Sequence, residues 1–352
     1  HMAGIIAGRD GSAATLQKGL ENSFVGMAPE SRIVNVKVAD YQGAVDVSQV
    51  IAAINWVVEH RNDNGMNIRV INLSYGTDSL QSPTADPLSY AVEQAWRAGI
   101  VVVVASGNDG NSSPLRDPAF NPYVIAVGAS DSNMSYNAAD DSVPEFSSCG
   151  TSDRYVDVVA PGKSIVSLRN PGSTADLNYE KARVGDRFFL GSGTSQAAAV
   201  VSGAAALIIQ QRPDITPDQL KALLMKTAQP IPNAKGICQG AGLIDLKVAS
   251  NTATPGATQQ HTRANGVGTL EGARGSDHLS VDGVTLKGEQ DIFGQKWNAE
   301  LWAKYAANYM TWDGGDWNGS SWTGTSWSGT SWSGTSWSGT SWSGTSWSGT
   351  CL

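Results

Sequence analysis

The sequence predicts an α/β fold, a mostly parallel sheet with helices on both faces, followed by a low-complexity C-terminal tail. Three observations predict it. Short β-branched runs recur through the first 250 residues as continuous apolar stretches, which suits strands buried on both faces. Segments with a 3.6-residue apolar period lie between them. Strand and helix alternate, and that order is the mark of a parallel sheet covered by its own crossover helices.

Taken along the chain, Ile33–Val38 is the first strand expected. Val50, Ile51, Ile54, Val57 and Val58 then fall on one face of a helix. Val70–Ser74 is the next strand, and Asp86-Pro87 caps a helix whose stripe is Leu88, Ala91, Val92, Ala95 and Trp96. Gly99 ends it, and strands follow at Val101–Ala105, Val124–Val127 and Val156–Ala160. Thr216-Pro217-Asp218-Gln219 is a capping box with proline at the first helical position. In a sheet of this kind, sites form beyond the carboxyl ends of the strands.

A chain of 352 residues is long enough for one large domain or two moderate ones. Its formal net charge of −8 argues against nucleic-acid binding, and no apolar run reaches the roughly 20 residues of a membrane span. Cys149, Cys238 and Cys351 are too few for a disulfide framework and lack the paired spacing of a zinc site. A single Cys149–Cys238 bridge stands open against three free thiols.

Composition divides the chain at about residue 250. Residues 251–296, rich in Gly, Thr and Ala without a sustained period, read as an irregular linker or small appendage. Residues 297–352 read as a disordered Trp/Ser/Gly/Thr tail, with tryptophans every five residues from Trp312 to Trp347. A spacing of five builds neither a helical nor a strand face. The alternative is a row of indoles stacking on cell-wall polysaccharide.

The segment "GSGTSQAAAVVSGAAAL" (Gly191–Leu207) carries the chemistry. Gly191 and Gly193 turn the chain, and an alanine run then opens a helix, so Ser195 sits at a helix N-terminus. Free N–H groups there favour a developing oxyanion. "VVVVASGNDG" (Val101–Gly110) places Asn108 past a buried strand, where its amide could donate to the same oxyanion or simply make a turn. "INLSYGTDS" (Ile71–Ser79) ends in Ser74-Tyr75-Gly76, an edge able to pair with an extended peptide or an ordinary strand end. "VDVVAPGKSI" (Val156–Ile165) reads as a strand stopped by Pro161-Gly162.

In order, "GMAPESRIVNVKV", "VINLSYG", "VVVASGNDG", "VIAVGASD", "FSSCGTSDRYVDVVAPG", "GTSQAAAVVSGAAALI" and "GAGLIDLKVAS" resemble the subtilisin-like serine peptidases, from Ala3 to about Val248. The resemblance implies cleavage of peptide bonds by an Asp-His-Ser triad, with Ser195 as nucleophile and Asn108 as oxyanion donor. It implies Ser74-Tyr75-Gly76 as one substrate edge and Tyr41-Gln42-Gly43 as the opposite one. Ala105, Ser106 and Gly107 would line the first specificity pocket, with room for a large apolar or aromatic side chain unless Tyr75 narrows it. The pattern departs at Gln196, Ala199 and Val200, which stand where the family has Met, Pro and His. No cofactor is implied; structural calcium is common in the family, but Gly8–Ser23 shows no clear ligand cluster.

The histidines are His1, His60, His261 and His278. "HMAGIIAG" matches the second half of the family's His-Gly-Thr-His-Val-Ala-Gly motif, which makes His1 the second histidine. A His-Met cloning remnant is the alternative. The base, the triad aspartate and one central strand would then precede His1, and the expectation is a fragment of a longer peptidase, inactive alone. The resemblance implies polypeptide substrates and an extracellular or cell-surface location, with a signal peptide upstream. The alternative function is a catalytically dead domain serving as a surface-binding module.

Overall fold

The computed structural model describes residues 1–10, 24–39, 44–135, 137, 139–232, 234–309, 315–317 and 320–322. Its centre is a parallel sheet of β1 (Val70–Leu73), β2 (Val101–Ala105), β3 (Ile125–Ser130) and β4 (Val158–Pro161), side by side in that order. Val70 lies opposite Val101, Val103 opposite Ile125, and Val127 opposite Val158. Every residue of β2 and β3 is buried. Successive side chains of a strand point to opposite faces, so both faces are covered.

The covering helices follow their sequence signals. After α1 (Met2–Ala7), α2 (Val47–His60) starts at Asp46, whose carboxylate accepts from Ser48 while Gln49 reaches back to the Asp46 N–H. α3 (Pro87–Arg97) is capped by Asp86, which accepts from Leu88 and Ser89 at 2.8 and 3.0 Å. Gly99 follows it with φ +86°, a conformation that disfavours any side chain. α4 (Thr194–Gln211) lies along all four strands, α3 packs on β2, and α2 packs on α3. α5 (Pro217–Thr227) carries the Thr216/Gln219 capping box. A second, antiparallel sheet of β5 (Ile165–Leu168), β6 (Arg183–Val184) and β7 (Phe188–Gly191) leads into α4, with β7 in the middle.

Two expectations are corrected. Ile33–Val38 forms no strand of either sheet; Val34, Val36 and Val38 instead lay half-buried side chains against the core. β-branched composition favours an extended chain, but pairing with a neighbour makes a strand. The second correction concerns residues 251–307. The irregular stretch gives α6 (Leu270–Arg274) and a short hairpin, Ser280–Val281 with Val284–Thr285. Ala299–Ala307, placed by composition in the tail, is a helix, α7. Leu270, Leu279, Leu286, Ile292, Phe293 and Trp302 are buried in the same core as α2 and α3. Tyr90 of α3 meets Trp302 edge-on at 5.5 Å, and Arg274 donates to Asp46 at 2.6 Å with both side chains wholly buried. Leu279, Leu286, Ile292 and Phe293 lack a period because turns and short extended pieces present them, not one helix face.

Cys149 and Cys238 form a disulfide across 89 residues. It ties the loop before β4 to the short helix Gly236–Gln239. The backbone of Gly315–Trp317 pairs with Ser320–Trp322 as an antiparallel ladder. The remaining Trp repeats and Cys351 lie outside the described residues, as do Tyr41-Gln42-Gly43. Among the described residues no helix is long and apolar enough to cross a membrane.

Candidate active site

Ser195 occupies the first turn of α4, beyond the carboxyl ends of the parallel strands, and is half-buried. The glycines before it lie close against the amide end of Gln196. A Cβ at Gly191 would lie 2.5 Å from Gln196 Nε2, and one at Gly193 would lie 2.9 Å from Gln196 Oε1. Gly193 itself is extended and is held by its N–H to the Gly162 carbonyl at 2.8 Å. The Pro161-Gly162 stop after β4 thus supports the turn before Ser195, a connection the sequence did not reveal.

Asn108 is tied to the same turn. Its Oδ1 accepts from the Thr194 N–H at 2.9 Å and from Thr194 Oγ1 at 3.1 Å. One amide oxygen takes both bonds, so the Nδ2 hydrogens face away from Thr194, and they have no acceptor among the described residues. Thr194 Oγ1 also accepts from the Gly107 N–H at 3.2 Å, which fixes the chain on either side of Asn108. The Ser195 N–H is one of the helix's unsatisfied first donors and makes no hydrogen bond among the described residues. Two donors and a hydroxyl are therefore grouped at one helix end.

The β1 edge reaches the same turn. Ser74 Oγ donates to the Ser195 carbonyl at 3.2 Å and accepts from Asn72 Nδ2 at 3.1 Å. Asn72 Oδ1 in turn accepts from Ser202 of α4 at 3.0 Å. Tyr75 is desolvated and faces Asp46, Asp117, Asp277 and Asp86, so its phenol is raised well above its ordinary value. Ala105-Ser106-Gly107 extends β2 opposite this edge: the Ser106 N–H bonds the Val127 carbonyl at 3.0 Å, and its carbonyl accepts from Arg116 at 3.0 Å.

Arg116 and Asp117 were not foreseen at the site. Arg116 forks onto Asp109 through Nε at 2.8 Å and Nη2 at 2.9 Å, and that fork holds Asp109 below the ordinary carboxylate range. Asp117 is wholly buried; burial first, and the neighbouring Asp86 second, raise it well above that range. No motif marks either residue, because both matter through what lies across from them.

Among the described residues none of the histidines is joined to Ser195, although His1 Nε2 lies 3.1 Å from where a Cβ of Gly191 would stand. His1 packs edge-on to Phe189 at 6.4 Å, His60 stacks on Trp56 at 4.6 Å, and His261 meets Tyr123 edge-on at 5.5 Å. His278 pairs with Glu271 at 3.0 Å. Among the described residues no hydrogen bond, ion pair or ring contact joins a histidine to Ser195, and no group of three or more His, Cys, Asp or Glu is poised to hold a metal.

Residues 1–268, which carry this sheet and the Ser195 and Asn108 segments, match the family profile of the subtilases, Peptidase S8. The chain belongs to the subtilase family. Serine protease AprX of Bacillus subtilis is 38% identical over 254 residues, which cover 70% of this chain and 56% of AprX. The chain thus spans little more than half of that relative. Subtilisin DY of Bacillus licheniformis is 34% identical over 71% of this subtilase and 76% of its own length. Among solved structures, fervidolysin from Fervidobacterium pennivorans, described as a keratinolytic enzyme related to subtilisin, superposes with a TM-score of 0.56 at 30% identity. That match covers 73% of this chain and 36% of fervidolysin. The protease domain of PatA, solved as a point mutant, gives 0.52 at 28% identity, over 71% of this chain and 78% of that one.

Proposed function

We propose that this subtilase is a serine endopeptidase in which Ser195 is the nucleophile. The observation that supports it best is the grouping at the start of α4: Ser195, its own free N–H, and Asn108, whose amide is oriented by Thr194. Ser195 Oγ would bond to the scissile carbonyl carbon while its proton passes to a base. The Ser195 N–H and Asn108 Nδ2 would hold the oxyanion where charge develops. The base then protonates the departing amine, and water releases the acyl group. Ser74-Tyr75-Gly76 and Ala105-Ser106-Gly107 flank this point, and an extended substrate would lie between them. The base would be a histidine oriented by an aspartate, as in the family's triad.

The coding sequence upstream of His1 tests this first, and peptide hydrolysis by the protein made from its whole reading frame tests it next. Hydrolysis and labelling by a serine-directed phosphonate are expected, and both should vanish in Ser195→Ala. Hydrolysis that persists in Ser195→Ala would refute the assignment. A frame that opens at His1, with Ser195 unlabelled, would favour a non-catalytic surface module. The same expression test addresses location: the protein is expected outside the cell or on its surface, and confinement to the cell interior would refute that.

A further inference from the structure

We propose that Arg116 determines specificity by filling the slot between the two substrate edges, so that the residue on the acyl side of the cleaved bond must be small. This rests on the assignment of Ser195 as a peptidase nucleophile. The backbone fixes the slot's floor. Arg116 N–H donates to the Ser106 carbonyl at 3.0 Å, and Asp117 exchanges backbone bonds with Thr77 at 2.9 and 3.0 Å. One short segment is therefore laced to both edges at once.

The Arg116 side chain then occupies the space the edge glycines leave. A Cβ at Gly76 would lie 2.7 Å from Arg116 Cβ, and one at Gly107 would lie 2.9 Å from Arg116 Cγ. The stem runs in contact with both glycines, where a long substrate side chain would otherwise go. It is not free to swing aside. Nε and Nη2 hold the two oxygens of Asp109 at 2.8 and 2.9 Å, and Nη1 lies 3.3 Å from Asp277. A planar fork on a carboxylate loses both bonds if it rotates away. Small residues at Ala105-Ser106-Gly107 imply a roomy pocket, but Arg116 takes that room.

The test uses the full-length protein and peptide amides that differ only in the acyl-side residue, Ala against Phe. The wild type should favour Ala in kcat/KM by about tenfold or more, the scale at which pocket volume discriminates. Arg116→Gly should raise the Phe-to-Ala ratio of kcat/KM by a similar factor, and a cooperative urea transition shows that the variant is folded. Arg116→Met, which keeps a stem of similar length but loses the fork that pins it, should relax the ratio less than Arg116→Gly. Equal use of both peptides by the wild type would overturn the proposal, as would a ratio unmoved in Arg116→Gly. Absence of any Ser195-dependent cleavage is a separate result, which removes the peptidase assignment and this inference with it.

Discussion

Asn108 shows how a single amide acquires a direction. Its Oδ1 is claimed by the Thr194 N–H and hydroxyl, which leaves the two Nδ2 hydrogens as the only groups it can offer a ligand. Asn108→Ala is therefore expected to lower kcat by about 10²–10³-fold with little change in KM, the size of one lost oxyanion donor. An unchanged kcat would mean that the amide serves only the turn. Asp117 is a buried acid beside a second acid, Asp86, and burial followed by that neighbour raises it. A group bound more tightly to its proton in the folded state stabilises the fold at pH below its unfolded value, about 4. That stability is lost as pH rises towards the raised folded value. Asp117→Asn removes the titration, so its denaturant midpoint should exceed that of the wild type near pH 7 and the gap should shrink towards pH 4. A gap that widens in acid would reverse the sign. Asn108 was legible in the sequence, because a strand running into Gly-Asn is a local pattern. Arg116 was not, since its importance depends on Gly76 and Gly107 lying on either side of it.

At the scale of the element, ends were more legible than partners. The caps at Asp86 and Thr216 use local hydrogen bonds, so the sequence shows them directly. Ile33–Val38 depended on a neighbour that sequence does not specify, and it forms no strand. The start of α2 combines both cases. Asp46 caps the helix locally but is also neutralised by Arg274, 228 residues away and equally buried. Arg274→Met would leave that carboxylate without its cation at a cost of roughly 3–5 kcal/mol. Adding Asp46→Asn should recover much of the loss, because asparagine also caps and carries no charge. Urea unfolding of the two variants checks this, and additive losses would exclude the coupling.

Among the described residues the segment after residue 250 shares the core of the parallel sheet and its helices. Leu270, Leu279, Leu286, Phe293 and Trp302 complete the cover over α2 and α3. Each such side chain contributes on the order of 1.5–3 kcal/mol when buried. A chain ended at Ser250 should therefore unfold at lower temperature and bind a hydrophobic dye. Equal melting of the shortened and full chains would show that the segment is dispensable.

The sequence by itself determined the alternation of strand and helix, the caps, and the family motifs at Ser195 and Asn108. These are fixed by residue type and by neighbours a few positions away. The tertiary structure alone decided that Cys149 joins Cys238, that Arg274 is buried against Asp46, and that Arg116 lies between the two substrate edges. Each of those facts pairs residues distant in the chain. Such contacts form only once the sheet has brought its loops together, and no local pattern records them.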